Sequence, residues 1–155
     1  MRDYDVSIAV GQAIAARLAA AYATDPDQVG LVHTYAHGAE TLADGTILER
    51  PADLLLPAVL IESKSSPLAS SFSFMRMDLQ ISVESQVDDD TAAQHDARIR
   101  VVNAALSDLT ALGIKFTGRG LELIGRPSPQ MTEPGVEQRA DRTVLAFRGG
   151  YRSDA

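Results

Sequence analysis

The hydrophobic positions of the chain switch between two periods, and each period names an element. From Val6 to Tyr22, the residues Val6, Val10, Ile14, Leu18 and Tyr22 recur every four positions, along one stripe of an amphipathic helix. Asp3 and Asp5 lie at its start, where carboxylates cap open N–H groups and suit the helix dipole. Asp25-Pro26-Asp27 ends it. From Phe74 to Val87 the period is two. Met75, Met77, Leu79, Ile81, Val83 and Val87 point one way, and Phe74, Arg76, Asp78, Gln80, Ser82, Glu84 and Gln86 the other. This is a half-buried strand with one face on a core. At ~3.3 Å per residue it would reach roughly 45 Å, far beyond the usual strand, so a bulge or bend is expected within it. Asp88-Asp89-Asp90-Thr91 stops the strand and caps a second helix running to Leu112, with Asp90 as N-cap. His95, Ile99, Val102, Leu106 and Leu109 form its buried stripe, and Gly113 suits the position after its end.

The remaining segments are shorter. Gln28 to Ala36 reads as a strand, Asp44-Gly45 as a hairpin turn, and Thr46 to Glu49 as the return. Pro51 and Pro57 bracket a Leu54-Leu55-Leu56 run, and Ala58 to Glu62 is a short β-branched strand. Ser63 to Ser73, rich in serine and holding Pro67, reads as a mobile loop. Leu121 to Ile124 is a strand after Gly118-Arg119-Gly120. Pro127, Pro129, Pro134 and Gly135 mark a loop. Arg142 to Arg148 is a last strand, with Val144 and Ala146 on one face and Leu145 and Phe147 on the other, interrupted by Gly149-Gly150. Arg152 to Ala155 reads as a frayed tail. The order predicts one α+β domain over residues 1–155: a two-layer sandwich, with a mostly antiparallel sheet of about four to five strands packed by two helices.

Composition narrows the function. The chain has 155 residues and no cysteine, which removes disulfides, thiolate metal sites and cysteine nucleophiles and fits a reducing compartment. No segment reads as a signal peptide or membrane span. The net charge is −7, which argues against nucleic-acid affinity, since Lys and Arg carry phosphate binding. It is uneven: residues 1–96 hold 15 acids and 5 bases, and residues 97–155 hold 6 acids and 9 bases. Such halves suit packing between identical subunits, or reflect only acids clustered in loops.

Candidate chemistry is sparse. His33 and His37 stand four apart; if the segment is a strand both rings share one face, two pleats apart, with Glu40 as a third ligand, yet ordinary surface or packing histidines have the same spacing. Asp88, Asp89 and Asp90 with His95 would suit a divalent ion, but helix capping accounts for the three carboxylates. His95 lies on an apolar stripe with no Ser or Asp placed by sequence to partner it as a general base. Gly118-Arg119-Gly120 is too short for a phosphate loop, and Gly149-Gly150 suits a bulge. The serine-rich segment with Lys64 has no nucleophile elbow. It is either a plain hairpin loop or a segment that orders on a partner, the latter motivated by Leu68, Phe72 and Phe74. The polar face of the long strand is either solvated or a subunit contact. No catalytic residue, metal or cofactor is assigned.

A long alternating strand, then Gln86-Val87-Asp88-Asp89-Asp90, then a helix with His95 and Ile99 to Leu112 resembles the tail terminator (tail completion, minor tail protein U-like) proteins of long-tailed bacteriophages. The N-terminal helix and a closing strand at Thr143 to Tyr151 fall in the matching order. The similarity is strongest over residues 55–112 and lies in element order, not in a signature motif. It implies a virion structural protein, located in the tail or neck and in host cytoplasm during assembly. Such a protein forms a ring, commonly a hexamer, that caps the tail tube, ends its polymerisation and joins it to the head connector. DNA would pass through without specific binding, and an acidic chain is compatible with that conduit. No catalysis and no membrane association are implied. The candidate protein-contact residues are Lys64, Leu68, Phe72, Phe74, Arg76, Arg139, Arg142, Arg148 and Arg152. The runner-up readings are another neck completion protein, or a small metal- or ligand-binding domain using His33 and His37.

Overall fold

The computed structural model describes residues 3–24, 32–49, 54–68, 71–86, 92–107, 116–126, 128–131 and 140–152. Among these residues two helices, α1 (Asp3–Ala23) and α2 (Ala92–Ser107), lie on one face of a sheet. Its strands are β1 (His33–Ala36), β2 (Ala39–Thr41), β3 (Ile47–Leu48), β4 (Ala58–Leu68), β5 (Ser71–Gln86), β6 (Phe116–Leu123), β7 (Ser128–Met131) and β8 (Ala140–Arg152). The sheet has eight strands in the order β3-β2-β1-β4-β5-β8-β6, with β7 also pairing β8. Every pairing is antiparallel except β1 with β4. The α+β sandwich with two helices matches the sequence reading. The sheet is larger than the four to five strands expected, because short pieces at both ends extend it.

The alternating strand forms as its pattern dictates. Met75, Met77, Leu79, Ile81 and Val83 are all buried under the helices, and Ser85 continues the same face. Val10, Ile14, Leu18 and Tyr22 of α1 and Val102 and Leu106 of α2 pack with them, while Leu145, Phe147 and Tyr151 supply β8's share. Val6's side chain, Val87, Asp88 to Asp90, Leu109 and Gly113 lie outside the described set. The irregularity lies at the start of β5: Pro67 pairs with Met75 but Leu68 with Ser71, so Phe72 to Phe74 are the extra residues, while the pairing with β8 runs in register from Phe74 to Gln86.

Three segments depart from the sequence reading for tertiary reasons. Ser63 to Leu68 is strand, not mobile loop, because the serines have partners that local composition does not reveal. Ser63 Oγ donates to the Ser7 carbonyl (2.6 Å), the Ser65 N–H donates to Ser7 Oγ (2.8 Å), and Tyr151 OH donates to Ser65 Oγ (3.0 Å). Gly149-Gly150 does not interrupt β8, since β5 pairs both residues in register; the irregularity lies in β6, between Thr117 and Glu122, opposite Gly149. Pro129 stands in β7, opposite Thr143, at a sheet margin where a missing N–H is tolerated.

The segment Gln28 to Ala36 also resolves differently. The strand begins at His33 and ends at a two-residue turn, His37-Gly38, whose φ values of 51° and 85° are both positive. That is the turn geometry whose twist matches a hairpin, and Gly38 adopts it without a Cβ penalty. Asp44-Gly45 forms the next hairpin as expected, held by Leu42 N–H to Thr46 O (2.8 Å) and Thr46 N–H to Asp44 Oδ1 (2.9 Å).

Candidate protein-contact surface

The sheet face opposite the helices is polar and charged along β4, β5 and β8. Asp78 of β5 stands directly across from Arg148 of β8, and Glu84 from Arg142. Arg148 Nε donates to Asp78 Oδ1 at 3.0 Å, and Arg76 Nε donates to Asp78 Oδ2 at 3.1 Å. Arg142 Nη2 donates to Ser82 Oγ at 3.0 Å, with its Nε 3.5 Å from Glu84 Oε1. Partial desolvation opposes ionisation of Asp78, but the hydrogen bonds from Arg148 and Arg76, with their charges, outweigh it and lower its pKa below the usual carboxylate value. These pairs are open to solvent, so each contributes only about 0–1 kcal/mol to stability.

The sequence candidates divide accordingly. Lys64, Arg76, Arg142 and Arg148 share this outer face, because Lys64 of β4 pairs with Asp78 and the β5–β8 register does the rest. Leu68 ends β4, Phe72 and Phe74 begin β5, and Arg152 pairs with Phe74 at the same end of the sheet. Arg139 lies outside the described residues.

The histidines go to separate places. His33 Nδ1 lies 2.6 Å from Glu40 Oε1 on the outer face. His37, carried round the turn, faces the helix side, with Nε2 3.1 Å from Ser63 Oγ. The expectation that both rings share a strand face is therefore corrected: His37 is a turn residue. Among the described residues no three His, Asp or Glu side chains gather in a metal-sized group.

His95 does have a serine partner, contrary to the sequence reading. Its Nδ1 lies 2.7 Å from Ser85 Oγ and its Nε2 2.8 Å from Thr143 Oγ1, and Arg98 Nη1 donates to Ser85 Oγ at 2.7 Å. Ser85 and Arg98 are each only 2% exposed, so the hydroxyl is closed to any substrate. The cluster joins α2 to β5 and β8 as a buried hydrogen-bond network. It continues to α1, where Tyr22 OH donates to the Arg98 carbonyl (2.8 Å).

The sequence reading also missed the exposed apolar side chains at the two ends of the sheet. Leu42, Ile47 and Leu48 are 37%, 46% and 43% exposed on the β2–β3 hairpin, and Leu123 and Ile124 are 38% and 43% exposed at the end of β6. Their signal was an unbroken apolar pair where a half-buried strand would alternate.

The sequence matches no family model and no curated protein. The fold does have a match among solved structures. It is similar to that of a chain in the virion of a native gene transfer agent (GTA) particle. The match has a TM-score of 0.58 at 16% identity and covers 95% of this chain and 98% of the virion chain. Likeness at that identity is a likeness of fold, and it extends over nearly the whole of both chains. Among the described residues no helix is long and apolar enough to cross a membrane.

Proposed function

We propose that this chain is a virion structural protein: a ring-forming subunit of the tail-terminator or neck type, acting by surface complementarity and not by catalysis. The observation that carries the reading is the near end-to-end fold likeness to a chain of a virion, with a TM-score of 0.58 and coverage of 95% and 98%. The order of helix, long hairpin, helix and closing strand supports the same reading. In this role identical subunits close a ring at the head-proximal end of a tail tube. One ring face matches the last ring of tube protein and stops further addition, and the other meets the head connector. Lys64, Arg76, Arg142 and Arg148 are the side chains on the outer sheet face offered to these partners, with the β4–β5 end carrying Leu68, Phe72, Phe74 and Arg152 alongside. A net charge of −7 suits a channel that lets DNA pass without holding it.

Electron microscopy tests this directly. The purified protein, alone and mixed with polymerising tail-tube protein from the same particle, should give annuli of uniform diameter and tubes capped at one end. Tubes that grow uncapped, with no annulus in either sample, would refute the terminator role. Binding to the connector without binding to the tube would assign the chain to the neck instead.

A further inference from the structure

The sheet treats its margins unequally. Beyond Ile61, β4 extends past the end of β1, and that margin is guarded: Ser7 Oγ takes the Ser65 N–H, and Pro67, two residues on, has no N–H to offer. Guarding of this kind prevents strand-to-strand association. Among the described residues the two outermost strands have no such guard. At β3, Ile47 and Leu48 are both exposed although consecutive strand residues point to opposite faces. At the other end, Leu123 and Ile124 are likewise both exposed. An apolar cluster left open at a sheet edge marks an association surface.

Charge decides which surface meets which. The stretch Val32–Arg50 contains Glu40, Asp44 and Glu49 against the single base Arg50. β6 and the residues just after it contain Arg119 and Arg126 against Glu122, and the adjoining β8 adds Arg152 against Asp141, its Arg142 and Arg148 being paired with Glu84 and Asp78 of β5. Pairing the acidic hairpin with a copy of itself would set like charges face to face. Pairing it with the far edge brings opposite charges and two apolar patches together. The two surfaces differ, so the contact is head-to-tail, the type that generates rings when its rotation closes.

We propose that the β2–β3 hairpin of one copy, through Leu42, Ile47 and Leu48, docks on the β6 edge of the next copy at Leu123 and Ile124. Closure into a ring rests on the assembly reading above; the pairwise contact does not.

Two variants test it: Ile47→Lys with Leu48→Lys, and Leu123→Asp with Ile124→Asp. Each places charge that its partner edge repels, and circular dichroism melts check that both fold. Native mass spectrometry should show species above 16.6 kDa for the wild type, with complete loss of them for each variant alone. Mixed in equal amounts, the variants should associate again, because each retains one intact edge and the lysine-bearing and aspartate-bearing edges attract each other. A monomeric wild type, a variant that still assembles, or a mixture that stays monomeric overturns the proposal. The tail-tube experiment is read separately: capping by a protein whose edge variants also cap would sink the edge contact and keep the virion role. Edge-dependent assembly without capping would do the reverse.

Discussion

Replacing Gly11 by alanine separates helix propensity from packing in α1. In an isolated helix the change would stabilise by about 1 kcal/mol. Here the added Cβ would lie 2.4 Å from His37 Nε2 and 2.7 Å from Ser63 Oγ, against an ordinary contact of about 3.5–4.0 Å. The His37 ring must therefore retreat by more than an ångström, which breaks its 3.1 Å contact with Ser63. Ser63 Oγ must also turn, although it is held at 2.6 Å to the Ser7 carbonyl. Losing these two hydrogen bonds costs about 1–3 kcal/mol, and residual overpacking adds about 1–3 kcal/mol. After the propensity gain, Gly11→Ala should destabilise by roughly 1–5 kcal/mol. Thermal melts should show Tm falling by roughly 2–20 °C for a domain of this size. Adding His37→Ala opens the space, so the double variant should recover more than about 0.5 kcal/mol beyond additivity. If Gly11→Ala melts at or above the wild-type temperature, the close approach of α1 to the β1–β2 turn is not what positions the helix.

Three further outcomes follow from the buried and paired groups. His95→Ala leaves Ser85 and Thr143 without their imidazole partner and should cost about 1–3 kcal/mol in urea unfolding; a loss below about 0.5 kcal/mol would mean the network is not structural. Tyr22 is shifted upward by burial, with the Arg98 charge offsetting only part. Its neutral form is the one the fold favours, so its contribution is intact below the ordinary tyrosine value and is lost as pH rises beyond it. Tyr22→Phe should flatten that alkaline loss, and the phenol absorbance of the folded protein should show a late-titrating tyrosine that the variant lacks. Asp78 is shifted the other way, so its contribution is present above the ordinary carboxylate value and lost as pH falls through the lowered one. The stability gap between wild type and Asp78→Asn should stay below about 1 kcal/mol, close in acid and shrink with added salt; a gap that widens in acid would contradict the ion-pair assignment.

Strand β5 and the two helices were legible in the sequence because a single-faced burial pattern is a local property. Met75 to Val83 and Val10 to Tyr22 declare their inner faces by spacing alone. What was not legible depended on partners distant in sequence. Ser63 and Ser65 look like loop residues until Ser7 and Tyr151 are placed beside them. Arg98 sits in the α2 pattern as an ordinary charged position, yet lies 2% exposed beside Ser85. The outer-face arginines were named from sequence, but their register against Asp78 and Glu84 follows from β8 lying beside β5, a neighbour relation that spacing does not encode. The short strands β2 and β7 were missed because three or four residues carry too little periodicity to register, whereas β3 was read as the hairpin return from Asp44-Gly45.

β8 follows every other described strand in the chain and yet lies in the interior of the sheet, between β5 on one side and β6 and β7 on the other. During synthesis the domain must therefore wait for its latest-made strand. A nascent chain halted before Thr143 would expose one whole side of β5 and leave the hollow that Leu145 and Phe147 fill. Such a fragment is a target for chaperones and proteases, so premature termination should deplete the protein instead of leaving a shortened folded form.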